Sequence, residues 1–200
     1  SSFALAYGLH SRMEKMDVYF VKTQGTGDRS VNKDLGFTRA HHVMLSYGFK
    51  ISDNMNMKIE PYFQQLYDVP VIADSSYSVL NRRDFYVENA LVNRGKGRNI
   101  GVDITLERYL NKGLYYMVTA SIFDSKYYGG DRKWRNTLYN RNFIINVLGG
   151  KEWMVGRDKQ NMFSVNFKIT LQGGDRYAPV DEVATLLDPD REVQYDETKA

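Results

Sequence analysis

From Asn99 to Glu107 the chain alternates: Ile100, Val102, Ile104 and Leu106 take one set of positions, and Asn99, Gly101, Asp103, Thr105 and Glu107 the other. A strand lines every second side chain on one face, whereas a helix would set Val102 and Ile104 on nearly opposite sides, so this spacing predicts a two-faced strand. The phase breaks at Arg108, on the apolar face, and Tyr109, on the polar one, just before a turn. An arginine can lay its stem on apolar surface and lift its head into water, so the break marks a membrane boundary. Counted to Leu110, the segment is close to the ~9 to 11 residues that a tilted strand needs to cross a bilayer.

The pattern recurs over Met162 to Gly173 and, less cleanly, over His42 to Lys50. Further strands are expected near 3–21, 55–67, 114–125 and 142–154, beside those near 38–50, 97–110 and 162–173. That makes about seven to eight in all, the eighth expected beyond the C-terminus. Pro61 is a blemish in the segment from Met55, because proline removes a ladder donor.

Connection lengths sort into two kinds. Ser52-Asp53-Asn54, Asn111-Lys112-Gly113 and Gly156 to Asn161 are short and turn-forming, while Lys22 to Thr38, Asp68 to Lys96, Lys126 to Arg141 and Gly174 to Ala200 are long and polar. Short and long alternate, as they do between the periplasmic turns and extracellular loops of an outer-membrane barrel. The expected fold class is therefore all-β, an antiparallel meander of about seven to eight transmembrane strands forming part of a larger barrel. Aromatic residues fall toward both strand ends, as at membrane interfaces. Phe3, Tyr7, Tyr47, Phe49, Tyr109, Tyr115, Tyr116 and Trp153 lie toward the short turns. Tyr19, Phe20, Tyr62, Phe63, Tyr67, Phe123, Tyr127, Tyr128, Tyr139 and Phe143 lie toward the long loops. Ordinary strand aromatics in the core of a sandwich are the competing reading.

Several short segments carry a resemblance to a known family. They are Tyr7-Gly8-Leu9-His10-Ser11, Phe37-Thr38-Arg39-Ala40-His41-His42, Tyr67-Asp68-Val69-Pro70-Val71 and Gly95-Lys96-Gly97-Arg98-Asn99-Ile100-Gly101-Val102. They continue with Leu106 to Gly113, Ser121 to Tyr127, Arg135-Asn136-Thr137, Gly149-Gly150-Lys151-Glu152 and Gln172 to Tyr177. In order and spacing the chain resembles the TonB-dependent receptors of Bacteroidota-type outer membranes that carry a carboxypeptidase-regulatory-like N-terminal domain, over nearly its whole length. The resemblance implies a barrel of about 22 strands closed by an N-terminal plug. It also implies an energising inner-membrane complex that engages a short N-terminal motif, an extracellular nutrient as ligand, and residence in the outer membrane of a Gram-negative cell.

Composition removes other classes. No run approaches the ~18 consecutive apolar residues of a spanning helix, yet 15 Tyr and 10 Phe accompany a mean hydropathy of −0.49. With no cysteine, thiol catalysis, thiolate metal sites and disulfides are excluded. A net charge of +3 is too small to indicate nucleic acid as partner. The opening Ser1-Ser2-Phe3-Ala4 has no basic segment or cleavage site, so an internal cut is expected, and with it a partial barrel wall.

Candidate chemistry is sparse. His41 and His42 are adjacent, hence on opposite faces of a strand, and His10 lies on another strand, so no metal site is expected. Asp103 and Glu107 share a face about 13 Å apart, too far for a glycosidase pair, and are expected to face Lys or Arg across the ladder. Ser121 and Ser164 have no His or Asp at triad spacing. Gly95-Lys96-Gly97-Arg98 precedes a strand rather than a helix and eases the chain into it. Neither catalysis nor a cofactor is expected. The one electrostatic pattern is a set of basic loop residues, Arg94, Lys96, Arg98, Arg132, Lys133, Arg135 and Arg141; simple solvation of the loops is the leading explanation, and outer-membrane lipid phosphates or an anionic ligand facing them the competing one. Trp134, Asp175, Arg176 and Tyr177 complete the candidate ligand- or lipid-facing set. The readings that compete with a transporter wall are a complete small barrel acting as an adhesin, an outer-membrane hydrolase and a soluble carbohydrate-binding sandwich.

Overall fold

The computed structural model describes residues 1–22, 30–81, 89–189, 193, 195 and 196. Parts of the first two long connections and most of the tail after 189 thus lie outside the described residues. One antiparallel sheet dominates: β1 (Ser2–Arg12), β2 (Thr38–Ser52), β3 (Met55–Val71), β4 (Val92–Asn111), β5 (Leu114–Tyr128), β6 (Trp134–Asn136), β7 (Phe143–Val155) and β8 (Asn161–Gln172). Sequential strands pair in the order β1-β2-β3-β4-β5-β7-β8, with the short β6 on β5, and the sheet does not close on itself. Two short helices, α1 (Met16–Tyr19) and α2 (Glu182–Leu187), lie in connections. The carboxylate of Asp181 caps α2 by accepting from the Ala184 N–H at 2.9 Å.

The expected all-β meander is thus observed, with three corrections. The strand expected over 3–21 ends at Arg12. Met16, Val18 and Phe20 alternate as in a strand, but the chain coils there into α1 and buries Val18 completely among the long connections. The third long connection, expected as a loop, holds a further strand, β6. Third, β3, β4 and β5 run on into segments expected as loops, so that Val69, Arg94, Lys96 and Lys126 are strand residues.

That extension has a steric basis at Gly95 and Gly97, both buried. A Cβ on Gly95 would meet Val71 and the Val69 carbonyl, and one on Gly97 would meet Leu80 and Leu66. Low strand propensity at these glycines is offset because neighbouring chain packs directly on their backbone, β3 and β5 at Gly95, and Leu66 of β3 with Leu80 of the following loop at Gly97. Turn chemistry fixes the other rim. Lys112 (φ 51°) and Gly113 (φ 72°) form the left-handed pair of a two-residue hairpin between β4 and β5. Pro61 sits inside β3, facing Val102 of β4. The ladder to β2 has a gap between Met44/Tyr62 and Tyr47/Ile59, on the side where proline has no N–H to give.

The buried core lies at the long-connection rim. Val18, Val21 and Leu91 form it, with Val31, Leu35, Ile72, Tyr77 and Val79 packed on them. Buried Asn32 staples the first connection to the second, donating to the Asn89 carbonyl at 3.0 Å and accepting from the Leu91 N–H at 2.8 Å. The second meets the third where the Asp131 N–H donates to the Ser75 carbonyl and the Leu138 N–H to Asn81 Oδ1.

Candidate functional site: two sheet faces and a cationic rim

Directly paired residues of an antiparallel ladder share a face, so the registers assign every strand residue to one of two surfaces. One surface carries Leu5 and Tyr7 of β1, paired with Leu45 and Val43 of β2. It continues through Phe63 and Ile59 to Ile100 and Ile104, then Ala120 and Ile122, and through Ile145 and Val147 to Leu171 and Ile169. No second sheet covers it among the described residues. Ile100 and Ile122, on interior strands, are 48% and 55% exposed, which in a water-soluble protein would be a large apolar patch left in solvent.

The opposite surface is polar and cross-linked by side chains. Asn99 donates to Gln64 at 2.7 Å and accepts from Ser125 at 2.6 Å, while Asn146 donates to Thr119 and accepts from Thr170 at 2.8 Å. Asp103 accepts from Ser121 and lies opposite Glu60, and Lys58 sits 2.8 Å from Glu60. The carboxylates on β4 do not face cations across the ladder as expected: Asp103 faces Glu60 and Ser121, and Glu107 faces Asn56 and Met117. His42 is on this polar surface, its ring 6.4 Å from those of His10 and Tyr62. His41 is on the apolar one, stacked on Tyr7 and Tyr67.

Cations and rings meet where the apolar surface gives way to the long connections. Arg39 lies 5.0 Å from the Tyr67 ring centroid and is ion-paired with Asp68, which the bulge in β3 holds at φ 56°. Further along, Lys96 lies 5.7 Å from the ring of Tyr128 and Arg98 5.4 Å from that of Trp134, the two rings themselves being 5.4 Å apart. Cations over ring faces are attracted by the ring quadrupole. At the opposite rim Tyr47 packs on Phe49 and Trp153 on Phe163. Two aromatic rims are therefore present, with altered membership. Tyr7 belongs to the long-connection rim, Tyr19 lies in α1 and Phe20 just after it, and Tyr62, Tyr109, Tyr115, Phe123 and Tyr127 occupy the polar surface.

The candidate basic set separates into four groups. Arg94, Lys96 and Arg132 line one cavity of about 180 Å³ with Tyr128, Gly129, Gly130 and Asp74, and Arg98 stands beside it over Trp134. None of these four cations has an ion pair among the described residues. Lys133 is exposed and outside the cavity. Arg135, contrary to expectation, is not presented to solvent: it is buried and forked onto Asp131 at 2.9 and 2.6 Å. That fork holds the Asp131 carboxyl below the usual aspartate range, against the opposing effect of its partial burial. Arg141 pairs with Asp175 at 2.6 Å, and Arg176 donates to the Asn140 carbonyl and Asn142 side chain. These line a separate cavity with exposed Tyr177. Arg39 and Asp68 had no place in the candidate set, because a salt bridge across a bulge has no signature in spacing.

No protein-family model matches this chain, and no curated protein matches its sequence.

Proposed function

We propose that this chain forms part of the wall of an outer-membrane β-barrel of the TonB-dependent receptor type, in the envelope of a Gram-negative cell. The apolar surface faces lipid, the polar surface lines the lumen, and the long connections lie outside the cell. The assembled barrel takes up an extracellular nutrient, driven by an inner-membrane complex, and no residue does covalent chemistry.

One observation carries the reading: a single apolar surface continues across all seven strands of the sheet path, uncovered by any second sheet among the described residues, while the reverse surface is a hydrogen-bonded polar network. Lipid on one side and water on the other is the environment that rewards such a sheet. Strands of 15, 17 and 20 residues, for β2, β3 and β4, exceed the ~9 to 11 of a crossing. The surplus on β3 and β4 lies at the rim where the face becomes cationic. Because β1 and β8 do not pair, a larger barrel accounts for the sheet better than a self-contained one.

A pair of substitutions tests this. In the full chain refolded in detergent, Ile104→Arg places a charge in mid-bilayer and is expected to cost ~2 to 4 kcal/mol, while Asp103→Arg, on the lumen face, is mild. Equal effects, or a folded monomer that stays in solution without detergent, would overturn the proposal.

A further inference from the structure

We infer that the cavity between Arg94, Lys96 and Arg132 binds the phosphate of an outer-leaflet lipid headgroup, an assignment that rests on the barrel-wall reading above. Three cations from two elements converge there: Arg94 and Lys96 at alternate positions of β4, and Arg132 from the turn after β5. Arg132 holds a left-handed backbone (φ 64°), uncommon for a side chain of its size, through its N–H bond to the Gly129 carbonyl at 3.1 Å. Asp74, also on the cavity wall, supplies the one carboxylate among the described lining residues, which leaves them a surplus of positive charge. The space, about 180 Å³, is on the order of six water volumes, room for a phosphate with part of its hydration shell.

The cations cannot turn to the other surface. Gly95 and Gly97 alternate with them there, and Val71, Leu66 and Leu80 occupy the room above those glycines. What marks the ligand as a lipid is position. The ring of Tyr128 belongs to both the cavity wall and the aromatic rim, and Trp134 packs on it. Tyr and Trp settle at headgroup level, so a phosphate in the cavity would have its acyl chains lying down the apolar surface. A soluble anion has no use for that surface.

The test uses the full chain refolded in detergent micelles doped with bis-phosphorylated lipid A or with the same lipid dephosphorylated, lipid adducts being titrated by native mass spectrometry. Wild type is expected to bind the phosphorylated lipid, and Arg94→Gln with Arg132→Gln to weaken it about tenfold or more, to the level of the dephosphorylated lipid. Lys168→Gln, on the polar surface, should change nothing. Circular dichroism confirms folding, and the single change Lys96→Gln serves if the double variant does not fold. Binding that ignores the phosphates, or survives loss of the cations, overturns the inference; competition by millimolar inorganic phosphate reassigns the cavity to a soluble anion and also overturns it. Quenching of Trp153 by brominated detergent reports separately on the barrel wall. A quenched Trp153 without phosphate dependence sinks the lipid site alone, while an unquenched one sinks the wall reading and the site with it.

Discussion

Glu60 and Asp103 stand directly opposite each other across the β3–β4 ladder, two carboxylates on one face. Like charges in that position repel by an amount on the order of 0.2 to 1 kcal/mol. Lys58 offsets this at 2.8 Å from Glu60, and the Ser121 hydroxyl donates to Asp103. Asp103→Asn keeps an acceptor for Ser121 and removes the repulsion. It is expected to leave urea stability in micelles unchanged or raise it by up to about 1 kcal/mol, whereas Lys58→Met, losing a half-exposed pair, lowers it by about 0.5 kcal/mol. A clear loss of stability in Asp103→Asn would show that the carboxylate pair is held by something other than these contacts.

Asn32 is fully buried and uses both ends of its amide, one on the Asn89 carbonyl and one on the Leu91 N–H. An isosteric leucine leaves both backbone groups without partners, at a cost of about 1 to 3 kcal/mol each. Because these contacts join connections rather than strands, Asn32→Leu should speed proteolysis of the first two long connections while the strand signal in circular dichroism stays at the wild-type level. Melting of the whole sheet in this variant would show that connections and sheet fold as one unit.

How far the chain's pattern revealed all this depended on what each segment packs against. Residues 99–107 sit between two different environments, and alternation reports that directly, so β4, β8 and the lower part of β2 were legible. Met16, Val18 and Phe20 alternate just as well but answer to a local core of Val21 and Leu91, where one buried valine can be supplied by a helical turn as easily as by a strand. Gly95 read as a loop residue because propensity is blind to Val71 and the Val69 and Tyr128 carbonyls that fill the space beside it. Within the basic set, charge located Arg94, Lys96 and Arg132, but nothing in spacing separates them from Arg135, whose forked bond to Asp131 removes it from the surface.

That fork makes the third connection sensitive to acid. The folded Asp131 carboxyl titrates below the ordinary value of about 3.9, chiefly because Arg135 donates to it. The unfolded chain therefore takes up the proton first as pH falls. The stabilisation is complete above the ordinary carboxylate range and is lost as pH drops through the lowered value. Hydrogen exchange at the amides of residues 129–142, corrected for its intrinsic pH dependence, should accelerate below about pH 4, and Asp131→Asn should already exchange fast at neutral pH, with little further change on acidification. A wild-type profile identical to the variant's would remove the ion pair from this account.

Gly95 offers the sharpest contrast with a neighbour in kind. A side chain there must push aside Val71 or the Val69 and Tyr128 carbonyls, two of which are backbone on flanking strands, whereas Gly174 has nothing within 4 Å of its missing Cβ. Overpacking against backbone costs about 1 to 3 kcal/mol when neighbours cannot retreat. Gly95→Val is thus expected to destabilise by that amount and to prise β4 from β5 near Lys96 and Tyr128, where the cationic cavity is formed. Hydrogen exchange at the amides of residues 92–98 should accelerate in this variant and not in Gly174→Ala. If Gly95→Val exchanges as slowly as wild type, the strand residues packed on this glycine are free to move away, and the outward direction of Arg94 and Lys96 has some other cause.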